Sequence, residues 1–260
     1  MGRTLLLLTA HADDTEFFAG GTVLKLVAEG WTVHEVIATD NGKGSFELAT
    51  SELVAASRDR EEAAVARFVG KASVEFLGYP DGDMAAVPPL VLRGQFMRAI
   101  RRIRPDLVMT FDPYAPFEPH PDHRAVAWAA VEALMFSNMP LFYPEHRAEG
   151  LAPHLVPERW FFAKSGERFN HFVDVSDHLE GKIRSLLLHE SQMKMTVDDL
   201  RMSLVATGMH PELLPLLDRD DPGPLLRAMI PAWAARTGAA AGLAAAEGFR
   251  RESAGEIFAS

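Results

Sequence analysis

An α/β fold, a three-layer sandwich with a mostly parallel sheet and a C-terminal helical extension, is predicted by three features of this 260-residue sequence. Short apolar runs alternate with longer segments of helical spacing over residues 4–111, the order that builds parallel sheets from strand–helix–strand units. The first run, Leu5-Leu6-Leu7-Leu8, is apolar throughout, as a strand buried on both faces must be. Polar, turn-forming clusters follow each strand, at the carboxyl ends where open sheets of this kind bind ligands.

Residues 4–10 read as the first strand. Residues 17–29 carry Phe18, Val23, Leu24, Leu26 and Val27 at helical spacing and stop at Gly30. Residues 31–39 are a second strand, ended by the turn Asp40-Asn41-Gly42-Lys43-Gly44. Residues 47–69 form a long helix closed by Gly70; 73–77 are a third strand, followed by Tyr79-Pro80-Asp81-Gly82-Asp83. A helix over 90–104 leads through Pro105 into a fourth strand, 107–111. A helix is expected over 125–137, a Pro-rich loop over 140–157, strands over 159–163 and 169–175, and a helix over 179–188. Residues 195–246 are helical in composition, with breaks at Gly208, Pro211, Pro215 and Pro222-Gly223-Pro224. The organisation is thus an α/β domain over 1–190 and a helical extension over 191–260 packed on it, in a Rossmann-like topology. The loops after the first four strands should converge on one rim.

Composition narrows the function. With 26 Lys+Arg against 36 Asp+Glu and a net charge of −10, the chain lacks the basic footprint of a nucleic-acid binder. It has no cysteine, which removes disulfides, thiolate zinc sites, iron–sulfur clusters and cysteine nucleophiles. Any metal must be held by His and carboxylate. The apolar run near the N-terminus breaks at His11 and Asp13, too short for a secretory leader, and no stretch reaches a membrane span. A cytoplasmic protein without membrane contact is expected.

Two of the loops carry a constellation. One reads His11-Ala12-Asp13-Asp14-Thr15-Glu16, the other ends Glu118-Pro119-His120-Pro121-Asp122-His123. Catalytic zinc commonly takes three ligands from His and carboxylate, leaving a position for water. His11, Asp14 and His123 supply that set. A hydrolase of this type also needs a carboxylate beside the metal to take the proton of the water, and Asp13 can do so. His120, three residues before His123, can protonate the leaving group or polarise a carbonyl oxygen. The plainer alternative is that these residues cap the following helices. Capping accounts for either cluster alone far better than for both on one rim. Gly20-Gly21-Thr22 is a weak nucleotide signal, opposed by the crowd of acids before it.

The loop His11-Ala12-Asp13-Asp14 with Glu16 and Gly20-Gly21-Thr22 resembles the H-P-D-D-x-E…G-G-T opening of the LmbE/PIG-L family of zinc-dependent N-acetylglucosaminyl deacetylases. The resemblance continues through Thr39-Asp40-x-Gly42, Arg58-x-x-Glu61, Pro80-Asp81-Gly82, His120-Pro121-Asp122-His123, Asp174-Val175-Ser176 with Lys182, His189-x-Ser191-Gln192 and Glu247-Gly248-Phe249-Arg250. It implies Zn2+ on His11, Asp14 and His123, Asp13 as general base, and His120 as acid or oxyanion partner. It also implies sugar-hydroxyl contacts at Arg58 and Asp81. Asp40 and Glu118, on the same rim, are added to the substrate-binding set. Helix-surface pairing of Arg58 and turn formation by Asp81 are equally weighted alternatives, and helix-end packing is favoured for His189. The run from Asp112 to Arg124, with Phe136-Ser137-x-x-Pro140, is most similar to the archaeal chitooligosaccharide deacetylase branch, which implies a homo-oligomer, trimer or hexamer. Two departures stand out: Ala12 replaces proline, and the tail after Arg251 holds no histidine to reach a neighbouring subunit.

The expected activity is removal of the N-acetyl group from an N-acetylglucosamine-type sugar or conjugate, releasing acetate and an amine. Two rivals remain at this stage: a non-haem Fe(II) enzyme on the same two-His-one-carboxylate site, and a non-catalytic sugar-binding relative.

Overall fold

The computed structural model describes residues 2–255; residues 256–260, the end of the histidine-free tail, lie outside that range. β1 (Thr4–Thr9) lies in the interior of the sheet because Leu5 to Thr9 are all shut from solvent. It pairs in parallel with β2 (Thr32–Thr39) on one side and β4 (Leu107–Phe111) on the other. β3 (Ser73–Tyr79) continues beside β2 and β5 (Glu158–Phe162) beside β4, both parallel. The order β3-β2-β1-β4-β5 is the Rossmann-like arrangement. β6 (His171–Asp174) and β7 (Ala246–Ser253) complete a seven-stranded sheet, with β7 inserted antiparallel between β5 and β6.

Helices α1 (Asp14–Ala28) and α2 (Ser51–Val69) link the first three strands on one face. α3 (Pro89–Ile103) and α4 (Pro121–Phe136) pack on each other across the opposite face. A short α5 (Glu145–Ala148) interrupts the loop before β5. α6 (Leu179–Leu187), α7 (Glu190–Thr207) and α8 (Gly223–Ala239) then add to the α1–α2 side. Among the described residues, no helix is long and apolar enough to cross a membrane.

Several elements differ from the sequence reading: α1 and α4 begin three and four residues early, at Asp14 and Pro121, and α5 lies within the expected loop. α2 begins at Ser51, four residues late, because Thr50 caps it by accepting a hydrogen bond from the Leu53 backbone N–H. The 191–260 segment is helical only in part, since residues 246–253 form β7. That strand carries Glu247 and Arg250, whose charges hide its burial. Each is neutralised inside the fold, Glu247 by Lys182 and Arg250 by two hydrogen bonds to Asp112. Parallel pairing of β1 to β4 brings their following loops to one edge, as the alternation of elements predicts.

Candidate active site

The first turn of α1 divides three neighbouring acids among different tasks. Asp13 is at the N-cap position, yet its side chain makes no capping hydrogen bond. It is buried and lines a cavity. Asp14 Oδ2 accepts from the backbone N–H groups of Ala10 (3.0 Å) and His11 (2.7 Å). Its Oδ1 faces His123 Nε2 at 3.2 Å, while Oδ2 is 3.7 Å from His11 Nδ1. Ala12 explains itself here: its N–H donates to Asn41 Oδ1 at 2.8 Å, a bond a proline could not make. Glu16 turns away, into the protein interior.

The start of α4 supplies the second half. Pro121 is at the first helical position and His120 at the N-cap, its Nδ1 accepting from the Asp122 N–H at 3.3 Å. His120 therefore does what the capping alternative proposed and also stands in the site, its ring 4.7 Å from that of His11 and 4.5 Å from that of His123. With Nδ1 accepting, the neutral ring carries its proton on Nε2. His123 lies flat on Phe111 at 4.1 Å. Asp122 is fully buried and accepts from the N–H groups of Gly82 (2.7 Å) and Met84 (3.1 Å). That ties the loop after β3 to α4.

His11 Nε2 lies 3.1 Å from Asp81 Oδ1 and 3.3 Å from Asp122 Oδ2. Burial opposes a charge on His11, but Asp122, Asp14 and Asp81 outweigh it and raise its pKa well above the ordinary value. Burial and the adjacent Asp14 push the Asp13 carboxyl up, against Arg58, His189 and His11. Burial and the two neighbouring imidazoles push His120 down, the opposite direction to His11 and His123. Asp81 is held at about 2: its burial is overcome by His11 and by the Lys43 N–H, which donates to Oδ2 at 3.0 Å.

The donor set fits a divalent transition metal. The second nitrogen of each proposed histidine ligand faces a carboxylate, the outer arrangement that fixes ring orientation and basicity. His11 turns Nε2 to Asp81 and Asp122, leaving Nδ1 toward Asp14. His123 turns Nδ1 toward Glu118 Oε2 at 3.3 Å, leaving Nε2 toward Asp14. That Nδ1 is buried without a well-aligned hydrogen bond, so the contact with Glu118 is electrostatic. One donor atom from each of His11, His120 and His123 also falls within a 4.8 Å cluster. His120 has one nitrogen committed to capping, which favours Asp14 as the third ligand.

The remaining predicted residues separate. Arg58 is buried on the cavity wall, its Nη2 donating to the Gly44 carbonyl at 2.7 Å and its Nη1 3.9 Å from Glu61. Asp81 also lines the cavity. Asp40 and Glu118, expected to bind substrate, are instead engaged in holding the loops. Asp40 Oδ1 accepts from Gly42 N–H (2.9 Å) and Asp81 N–H (3.1 Å). Glu118 Oε1 accepts from His120 N–H and Lys164 Nζ, each at 3.0 Å. Asp122 is a site-building residue whose part the sequence left unassigned, and Asn41, expected among the hydroxyl-binding groups of the rim, accepts from the Ala12 N–H. Asp122 sat inside a quoted motif, and its signal was the histidine pair around it.

These groups open onto a cavity of about 790 Å³, in the upper part of the roughly 300–1,000 Å³ range of small-molecule sites. The family profile PIG-L: GlcNAc-PI de-N-acetylase matches residues 6–134. The chain is 32% identical over 200 residues to a diacetylchitobiose deacetylase of Thermococcus kodakarensis, covering 76% of this chain and 73% of that protein. It is 26% identical over 211 residues to a probable N-acetyl-alpha-D-glucosaminyl L-malate deacetylase 2 of Bacillus anthracis, covering 76% and 85% respectively. The solved N,N'-diacetylchitobiose deacetylase from Pyrococcus horikoshii, complexed with its inhibitor MPG, matches with a TM-score of 0.78 at 27% identity, covering 99% of this chain and 86% of that one.

Proposed function

The chain belongs to the LmbE/PIG-L family of N-deacetylases, and from that premise we propose that it is a zinc-dependent hydrolase removing acetate from an N-acetylglucosamine-type sugar. The observation that carries this reading is Asp13, a buried carboxylate exempt from capping, facing the cavity beside a two-His-one-Asp donor set. His11, Asp14 and His123 would hold the metal. When bound, zinc would supply Lewis-acid polarisation of the acetyl carbonyl and a water acidified to a pKa of about 7.

Asp13 takes the proton of the attacking water, its raised pKa moving it toward the operating pH. His120, uncharged with its proton on Nε2, donates a hydrogen bond to the carbonyl oxygen as that oxygen gains charge. A neutral imidazole is far too weak an acid to give that proton up. Asp13 is therefore the group that returns a proton to the nitrogen as the C–N bond breaks, giving acetate and a free amine. Arg58 offers its guanidinium to sugar hydroxyls from the cavity wall.

The test is acetate release from N-acetylglucosamine and its conjugates beside N-acetylglycine, with metal content measured on protein purified without added metal. Zinc-bearing protein that cleaves the sugars is the expected result. Bound iron with no acetate released from any substrate would overturn it.

A further inference from the structure

Arg58 is held on the cavity wall by groups outside the donor set. Its Nη2 donates to the Gly44 carbonyl at 2.7 Å, and Glu61 stands 3.9 Å from Nη1. Glu61 is itself fixed from α7, whose Ser191 donates to it through its backbone N–H (2.9 Å) and Oγ (3.0 Å). Gly44 leads into residues 45–49, which form neither helix nor strand, and Phe46 and Leu48 there are exposed. None of residues 45–49 belongs to the hydrophobic core. Between them and α7 lies a cleft of about 170 Å³, lined also by Ser57, Lys194, Met195 and Asp198.

Charge spans that cleft. Arg219 Nη2 lies 2.5 Å from Glu47 Oε1 and 3.2 Å from Asp198 Oδ2 on α7. Among the described residues, this is the one ion pair that ties residues 45–49 to another part of the chain. Nη2 is not aligned as a hydrogen-bond donor to either carboxylate, so the tie is electrostatic. Its side chains are partly exposed, which opens it to screening by salt. At the other end, a Cβ on Gly44 would stand 2.9 Å from Arg58 Nη2. Glycine thus admits the guanidinium to the carbonyl, and any shift of the segment carries that acceptor with it.

Resting on the reading that Arg58 meets sugar hydroxyls, we propose that Arg219 is a positioning residue for that contact. By holding Glu47 against α7, it fixes the segment that follows Gly44, whose carbonyl aims Arg58 into the cavity. The chain beyond residue 190 thus grips Arg58 from both sides. Ser191 and Glu61 form one hold, and Arg219, Glu47 and Gly44 the other. Arg219 lies outside the cavity lining, so its effect falls on sugar affinity and not on the bond-breaking step.

The experiment measures acetate release from methyl 2-acetamido-2-deoxy-β-D-glucopyranoside by the full metal-loaded chain, with Arg58→Ala as the reference for a lost sugar contact. Arg219→Gln should raise KM about 2–5-fold, the range of a partly exposed ion pair, with kcat and metal content unchanged. Arg219→Glu should raise KM further, and adding Glu47→Arg should bring it back. Between about 0.05 and 0.5 M NaCl, KM should climb more in the parent than in Arg219→Gln, a difference that a merely structural arginine would not produce. Gly44→Ala should raise KM with the ion pair intact, by crowding Arg58 directly. Unchanged KM in Arg219→Gln beside a raised KM in Arg58→Ala would overturn the positioning role and leave the deacetylase reading standing. Loss of metal and kcat in Arg219→Gln, with no recovery in the charge swap, would overturn it too. Unmoved KM in Arg58→Ala would overturn the sugar contact on which the proposal rests. Calorimetric titration with the same glycoside separates the two readings. Weaker binding to Arg219→Gln and to Arg58→Ala, with no acetate released by the parent, would support the positioning role and overturn the deacetylase reading.

Discussion

Two clusters of charge meet at the first turn of α1, and only one of them faces solvent. The first comprises His11, Asp13, Asp14, Asp81 and the two histidines of the α4 start, all lining the cavity. The second lies behind it: Lys71 Nζ is 3.1 Å from Glu16, 2.5 Å from Glu35 and 2.9 Å from Glu62, and every one of those side chains is sealed from water. His189 joins it, 3.5 Å from Glu16 and 3.9 Å from Glu62. Glu16, Glu62 and His189 bring ligand atoms as close together as the active-site histidines do. Proximity of donors therefore does not separate a metal site from a structural one. What separates them is access: the inner cluster is sealed from water around an ammonium group, whereas the outer cluster opens onto the cavity.

The sharpest way to break this comparison is to remove one charge from each cluster. Asp13→Asn should keep the metal and lose about 10²–10⁴-fold in kcat/KM, the usual cost of deleting a general base. Asp14→Ala should lose the metal itself, read by elemental analysis of the purified protein. A metal-free Asp13→Asn beside a metal-loaded Asp14→Ala would reverse the two roles.

In the inner cluster the cost should fall on folding. Lys71→Met leaves three carboxylates facing one another with only His189 to balance them. Breaking a buried ion pair by deleting one partner costs about 3–5 kcal/mol. Denaturant unfolding should show that loss, while the folded fraction keeps its metal content. A variant as stable as the parent would show that the carboxylates are relieved by protonation alone.

Sequence patterning read the outer cluster well and the inner one not at all, for a physical reason. Strand ends announce themselves: apolar runs stop, turn residues follow, and the rim loops must converge once the sheet is parallel. Asp13, Asp14, His120 and His123 were therefore visible before any coordinates. Lys71 follows the helix-ending Gly70, where a lysine reads as a solvated turn residue, and its three partners come from α1, β2 and α2. Only the packing of those elements brings them together. β7 escaped for a related reason, because Glu247 and Arg250 are charged in sequence and paired in space. At Asp40 and Glu118 rim position suggested substrate contact, and one oxygen of each carboxylate accepts from backbone N–H groups, with Lys164 added at Glu118.

The inner cluster should also leave its mark on the pH dependence of stability. Burial, followed by repulsion from Glu35 and Glu16, pushes the Glu62 carboxyl up to about 8, against Lys71 and His189. Glu16 moves the other way, to about 2, because Lys71 and His189 overcome its burial. In the unfolded chain both titrate near the ordinary value of 4.5. Between pH 4.5 and 8 folded Glu62 holds a proton that the unfolded chain has released, so its contribution to stability declines as pH rises. Between pH 4.5 and 2 the unfolded chain binds a proton at Glu16 that the fold excludes, so that contribution is lost as pH falls. Glutamine matches the protonated, uncharged form of Glu62. Glu62→Gln should therefore flatten the decline from pH 5 to 8 and leave the acid limb in place. Urea midpoints measured across pH 3 to 9 on both proteins read this directly. Parallel profiles for the two would mean that Glu62 is ionised in the fold, and that Lys71 and His189 compensate all three carboxylates at once.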